Sequence, residues 1–191
     1  MSEHLWWYLS RAAGVVTLFS SGLAVVVGLL MSTRLVRARG LPKWLADLHP
    51  FLGSITLAAL AAHLGALLLD GYTDFRVVDL LVPGASEWRT GAVAWGVVAA
   101  WVFVAVQVTS RLRNRVAPRV WRFIHRASVL AFAGSMLHAV QAGSDVTNRL
   151  YLLLASLLGL LVFFMLVVRL LDTSRARSGA ARSRKVPVRA R

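Results

Sequence analysis

The chain has 191 residues, 58% of them hydrophobic, with no cysteine and a formal net charge of +14 from 22 Lys and Arg against 8 Asp and Glu. Its mean hydropathy of +0.65 and its apolar share exceed those of ordinary soluble domains and assign it to the integral membrane proteins. The missing cysteines exclude disulfides, zinc–thiolate sites, iron–sulfur clusters and covalent c-type haem attachment. So basic a chain would ordinarily raise nucleic acid as a partner, but the charges stand in clusters beside apolar runs, which is a matter of membrane topology, and no nucleic acid is expected.

Crossing ~30 Å of hydrocarbon takes about 20 helical residues. Five stretches qualify: 12–31, 49–69, 92–108, 120–140 and 150–171. The expected fold is therefore all-α, a bundle of five transmembrane helices over residues 1–171. The first stretch reads as a retained helix. Its apolar run is too long for a cleavable signal, and its flank carries Glu3 with only Arg11 nearby. Trp6, Trp7 and Tyr8 ahead of it, and Trp88, Trp95 and Tyr151 further on, suit the interfacial aromatic belt. Between the second and third stretches, residues 75–83 mix Val77, Val78, Leu80 and Leu81 with Arg76 and Asp79. This pattern predicts a short interfacial helix capping the outer side, or equally a re-entrant segment that seals the bundle. Residues 172–191 form a basic tail, expected to be disordered and drawn to anionic lipid, with docking of an acidic flavoprotein as its other use.

Orientation follows from the basic residues. Arg34, Arg37, Arg39 and Lys43 follow the first helix, Arg111, Arg113, Arg115, Arg119, Arg122 and Arg126 follow the third, and the rest of this set begins at Arg169. Together they make 18 of the 22 Lys and Arg, and the alternate segments hold only Arg11, Arg76, Arg89 and Arg149. The N-terminus is therefore expected outside and the C-terminus inside, which an odd number of spans requires.

Within the spans, His49 and His63 stand fourteen residues apart on the second helix, and His125 and His138 thirteen apart on the fourth. An ionisable residue inside a span is by default a functional candidate, and imidazole is the usual axial ligand of haem iron. Both helices run from inside to outside, so His49 pairs in depth with His125 and His63 with His138. At ~1.5 Å rise per residue the two levels are about 20 Å apart, room for one porphyrin above another.

Azimuth treats the pairs unequally. Fourteen residues return to within roughly 40° of the starting face, whereas thirteen leave His125 and His138 roughly 140° apart, so the fourth helix must overwind locally, at Gly134 or Ser135, or its side chains must reach round. Pro50 suits a first helical turn and is expected to leave His49 near a cap or kink. Gly53, Ser54, Ala58, Ala59 and Ala62, with Ala127, Ala131, Gly134 and Ser135, leave space beside the backbone for a flat cofactor, although close helix packing uses the same residues. His4 lies outside the spans and reads as solvated.

The segments LHPFLGSITLAALAAHLGALLLDGY and WRFIHRASVLAFAGSMLHAVQAGSD resemble the paired-histidine helices of the ferric reductase-like transmembrane domain family, and LWWYLSRAAGVVTL and FRVVDLLVPG extend the resemblance over nearly all of the chain to Leu171. That family includes ferric reductases, the membrane core of NADPH oxidases and the haem-binding membrane subunit serving bacterial methionine sulfoxide reductase. The resemblance implies a b-type cytochrome that passes electrons across the membrane, with His49, His63, His125 and His138 as axial ligands of two haems b. Ferric reductases and NADPH oxidases carry a cytoplasmic flavin and nicotinamide domain after the haem core, for which the tail here leaves no room, so the donor is expected to be a separate flavoprotein or a quinol. The methionine sulfoxide reductase subunit has six helices and lacks a full set of four core histidines, so its acceptor is not carried over.

Arg11 at the outer end of the first helix, and Arg122 or Arg126 at the inner end of the fourth, are candidate partners of haem propionates, because guanidinium binds carboxylates bidentately. Their other reading is topology alone. No glycine-rich phosphate loop or serine–histidine–acid constellation competes. The expected function is transmembrane electron transfer to an outer-side acceptor by a multi-pass protein of the cell membrane. The alternative is a redox-silent transporter component or assembly factor that uses the histidines for packing or proton movement.

Overall fold

The computed structural model describes residues 4–33, 42–71 and 74–184, with side chains to residue 173. Six helices follow in order: α1 (Leu5–Ser32), α2 (Lys43–Leu69), the short α3 (Val77–Leu81), α4 (Thr90–Arg111), α5 (Pro118–Ala142) and α6 (Arg149–Arg184), with 3₁₀ turns at Arg113–Arg115 and Asp145–Thr147. No strand occurs among the described residues. Five helices are long and apolar enough to span a membrane, the last over Arg149–Thr173. The chain is a multi-pass membrane protein, and each span contains one of the five stretches expected from the sequence. Arg34, Arg37, Arg39 and residues 185–191 lie outside the described residues. The helix α6 continues past Leu171, where the tail was expected to begin, to Arg184.

The helix α1 is the centre of the bundle: half of its apolar window is buried, against a third or less for each other span. It packs against α2, α5 and α6, while α4 packs against α5. Lipid tails are as apolar as leucine, so close approach rather than hydrophobic segregation drives this packing. Small residues permit it. A Cβ at Gly22 would come within 2.6 Å of Leu158 and 2.7 Å of Phe132, so glycine is what lets α1 seat against α5 and α6 there. Leu18, Val25 and Leu29 of α1 close that side with Phe132, Ala155, Leu158, Val162 and Met165. A second cluster joins Leu60 of α2 to Ala99, Ala100 and Phe103 of α4 and Ala131 of α5. Between α1 and α2 the buried hydroxyls of Ser20 and Thr56 hydrogen-bond at 2.9 Å.

Two pairs of local alternatives are narrowed. Pro50 lies seven residues past Lys43, well inside α2, so of the cap or kink expected at His49 the cap is excluded. The helix simply begins earlier than the apolar run, and the cost of the proline is the intrahelical donor missing at the carbonyl of Ala46. The helix α5 is a single α-helix throughout Pro118–Ala142, without the overwound turn considered for Gly134 and Ser135.

The short helix α3 forms where expected. Its first turn is closed by a capping box in which the Arg76 amide donates to Asp79 at 2.9 Å and the Arg76 guanidinium to the same carboxylate. These donors hold the Asp79 carboxyl below its usual range. The helix packs on α4, where the Trp101 indole donates to the Leu81 carbonyl at 2.9 Å, and turns Val77, Val78 and Leu81 outward.

Candidate metal centre

The four span histidines meet as two pairs, with ring planes inclined at 66° and 77°. His49 of α2 and His125 of α5 have ring centres 5.8 Å apart, and His63 and His138 of the same helices 6.4 Å apart. A metal ion held between two imidazoles at about 2 Å from each nitrogen, with just over 1 Å from nitrogen to ring centre, puts the ring centres about 6 Å apart. Both pairs have that spacing. Each ring is only half-buried, and among the described residues no group of three or more His, Asp or Glu is arranged to bind a bare ion. A pair of imidazoles could instead hold the iron of a haem, which would bring its remaining ligands itself.

The orientation of the rings comes from α1 and α4, helices that carry no ligand candidate. Nδ1 of His63 lies 2.8 Å from the carbonyl of Ser10, Nδ1 of His49 lies 3.0 Å from that of Ala24, and Nδ1 of His138 lies 2.8 Å from that of Ala92. A carbonyl only accepts, so in each case Nδ1 carries the proton and Nε2 keeps its lone pair for a metal. Such a bond fixes the ring and would raise the basicity of a nitrogen that binds a metal.

Each of these carbonyls stands four residues before a glycine, Gly14, Gly28 and Gly96. In a helix the carbonyl of residue i already accepts the amide of i+4, and the Cβ of i+4 leans back over it. Without that Cβ the second lone pair is reachable from the side. A Cβ would stand 3.1 Å from His63 at Gly14, 3.0 Å from His49 at Gly28 and 2.8 Å from His138 at Gly96. The three seats share one design.

His125 has no such seat, because α4 carries no glycine after Gly96. Among the described residues its Nδ1 is buried without a hydrogen-bond partner, as is Nε2 of Gln107, which lies against Gly53 one helical turn from His49. Both unpartnered atoms belong to the His49–His125 level. The His125 ring is instead stacked on Trp121, with centres 5.0 Å apart and planes at 22°, and the Arg113 guanidinium lies over the same indole at 4.6 Å. The thirteen-residue offset is thus met by side chains: His138 turns toward α4, and His125 lies along its own helix on Trp121.

The candidate arginines are placed differently from each other. Arg11 donates through Nε to Asp145 at 2.7 Å and through its second nitrogen to the other carboxylate oxygen, so its bidentate partner belongs to the chain itself. This pair ties α1, at the residue following Ser10, to the turn before α6. Arg122 and Arg126 are exposed on α5, as is His4 at the head of α1. Sequence reasoning missed Ser10, Ala24, Ala92 and their glycines. The signal was present: Gly14 and Gly28 are fourteen residues apart, the spacing of His49 and His63.

A family model described as "Ferric reductase like transmembrane component" matches residues 13–136, more than half of the chain. The match takes in His49, His63 and His125 and ends two residues before His138. No curated protein and no solved structure matches.

Proposed function

Since the chain belongs to the ferric reductase-like transmembrane family, we propose that it is a membrane b-type cytochrome carrying electrons across the bilayer to an outer-side acceptor through two bis-histidine haems. The observation that carries this reading is the two imidazole pairs, 5.8 and 6.4 Å between ring centres on the same two helices. His49 and His125 hold one haem, and His63 and His138 the other. Bound haem supplies a reversible one-electron couple.

The chain's own part is to present Nε2 lone pairs, to fix the rings through the Ser10, Ala24 and Ala92 carbonyls, and to surround them with apolar helix. Arg126, exposed beside His125, is assigned to a haem carboxylate, and the buried amide of Gln107 is a further donor at that level. Arg11, held by Asp145, fixes the end of α1 that carries the Ser10 seat. The bias of basic residues puts the N-terminus outside and the His49–His125 level toward the cytoplasm. A separate flavoprotein or a quinol in the membrane supplies electrons from that side.

The test is a reduced-minus-oxidised absorption spectrum of protein expressed with sufficient haem. We expect a b-type band at two haems per chain, with His49→Leu or His125→Leu removing one and His63→Leu or His138→Leu the other. A protein with no haem band would refute the reading and leave a redox-silent membrane protein. Loss of both haems in every variant would refute the assignment of pairs.

A further inference from the structure

Resting on the two-haem reading, we propose that Trp121 is the positioning residue of His125, doing by ring stacking what a carbonyl–glycine seat does for the other three histidines. The other rings are each anchored at Nδ1 by a neighbouring helix, at 2.8 to 3.0 Å, with a glycine behind. Among the described residues His125 has neither, and its Nδ1 is buried without a partner. What fixes its plane is the indole one turn earlier on α5, nearly parallel at 22° and centred 5.0 Å away.

The indole is itself held. Its Nε1–H donates to the Ser110 hydroxyl of α4 at 3.4 Å, and Arg113, in the turn joining α4 to α5, lies over its ring at 4.6 Å. Trp121 therefore transmits the position of α4 to His125, which is the task the Ala92 carbonyl performs for His138. A stack resists tilting of the imidazole but makes no demand on Nδ1, so His125 is the one ligand whose Nδ1 proton is free of a carbonyl. The two levels then differ in kind: one has two carbonyl-anchored ligands and the other has one anchored and one stacked.

The test uses the purified, haem-loaded full chain and reads the low-spin ferric electron paramagnetic resonance signals, which respond to the angle between axial ligand planes, together with transfer of haem to apomyoglobin. His125→Leu first identifies the signal of its level. Trp121→Leu is expected to broaden or shift that signal alone and to speed loss of that haem about tenfold or more, the usual size of an outer-shell effect on metal binding. Trp121→Phe, which keeps an aromatic face, should restore both readouts. Trp121→Met, which keeps apolar bulk without a ring, serves where the leucine variant does not accumulate and should behave like it. Unchanged signals in a non-aromatic variant, equal changes in both signals, or no rescue by phenylalanine would overturn the proposal. Absence of haem from the unaltered protein would instead refute the reading on which it rests.

Discussion

Gly96→Ala is a sharp test of the carbonyl–glycine seats. The added Cβ would stand 2.8 Å from Nδ1 of His138, 2.9 Å from Cε1 and 3.0 Å from Cγ, where ordinary contact begins at 3.4 Å. The ring must therefore retreat by about 0.6 Å, which stretches the 2.8 Å bond to the Ala92 carbonyl to about 3.4 Å and effectively breaks it. Loss of that bond costs about 1 kcal/mol, and the overpacking adds about 1–3 kcal/mol if the helices do not yield. A ten- to hundredfold loss of haem affinity, about 1.4–2.7 kcal/mol, is the corresponding expectation for the His63–His138 site. The assay is haem-to-protein ratio and haem transfer rate for Gly96→Ala beside Gly65→Ala, since a Cβ at Gly65 meets nothing within 4 Å. Full retention of both haems in Gly96→Ala, or an equal loss in Gly65→Ala, would refute the reasoning.

Other outcomes follow from the same contacts. Gly14→Ala and Gly28→Ala, with Cβ distances of 3.1 and 3.0 Å, should act in the same direction but more mildly, on the His63 and His49 levels respectively. Asp145→Asn should lower thermal stability by about 0.5–1 kcal/mol, since the Arg11–Asp145 pair is partly exposed, and adding Arg11→Gln should cost little more; additive losses in the double-mutant cycle would show that the two do not act as a pair. Ser20→Ala should cost about 0.6 kcal/mol, typical of a hydrogen bond between membrane helices, measured by detergent unfolding against Thr56→Ala. Because the Asp79 carboxyl is depressed in the folded chain, its contribution is complete above the ordinary carboxylate pKa of about 4 and is lost as pH falls through the lower folded value. Protection of the Val77–Leu81 amides, the slowing of exchange relative to an unfolded peptide at the same pH, should therefore fall on acidification, and Asp79→Asn should show low protection at every pH; a protection profile in that variant unchanged from the parent would count against the capping box.

Much of the architecture was legible because its causes are local or one-dimensional. Apolar runs of span length report burial in lipid directly, so five helices could be counted without knowing how they pack. Histidine depth is legible for the same reason: rise per residue converts sequence separation into height, and His49 meets His125 and His63 meets His138 as the spacing predicts. Azimuth was not legible. The thirteen-residue spacing left open a distorted α5 or side chains that reach round it; the helix is regular, and its histidines are turned by different neighbours, Ala92 for one and Trp121 for the other. Arg11 likewise read as a partner for a haem propionate or as a topology signal, and its contact with Asp145 was not legible because the two are 134 residues apart.

By itself the sequence determined the membrane class, the number of spans and the pairing of the span histidines by depth. Only the tertiary structure decided which helices hold the histidine rings. A glycine four residues after a carbonyl is an ordinary helical residue until another helix brings an imidazole against it. The opening of that carbonyl's second lone pair is a property of two helices in contact. The missing fourth seat, and the indole that stands in for it beside His125, become visible only when α4 and α5 are side by side.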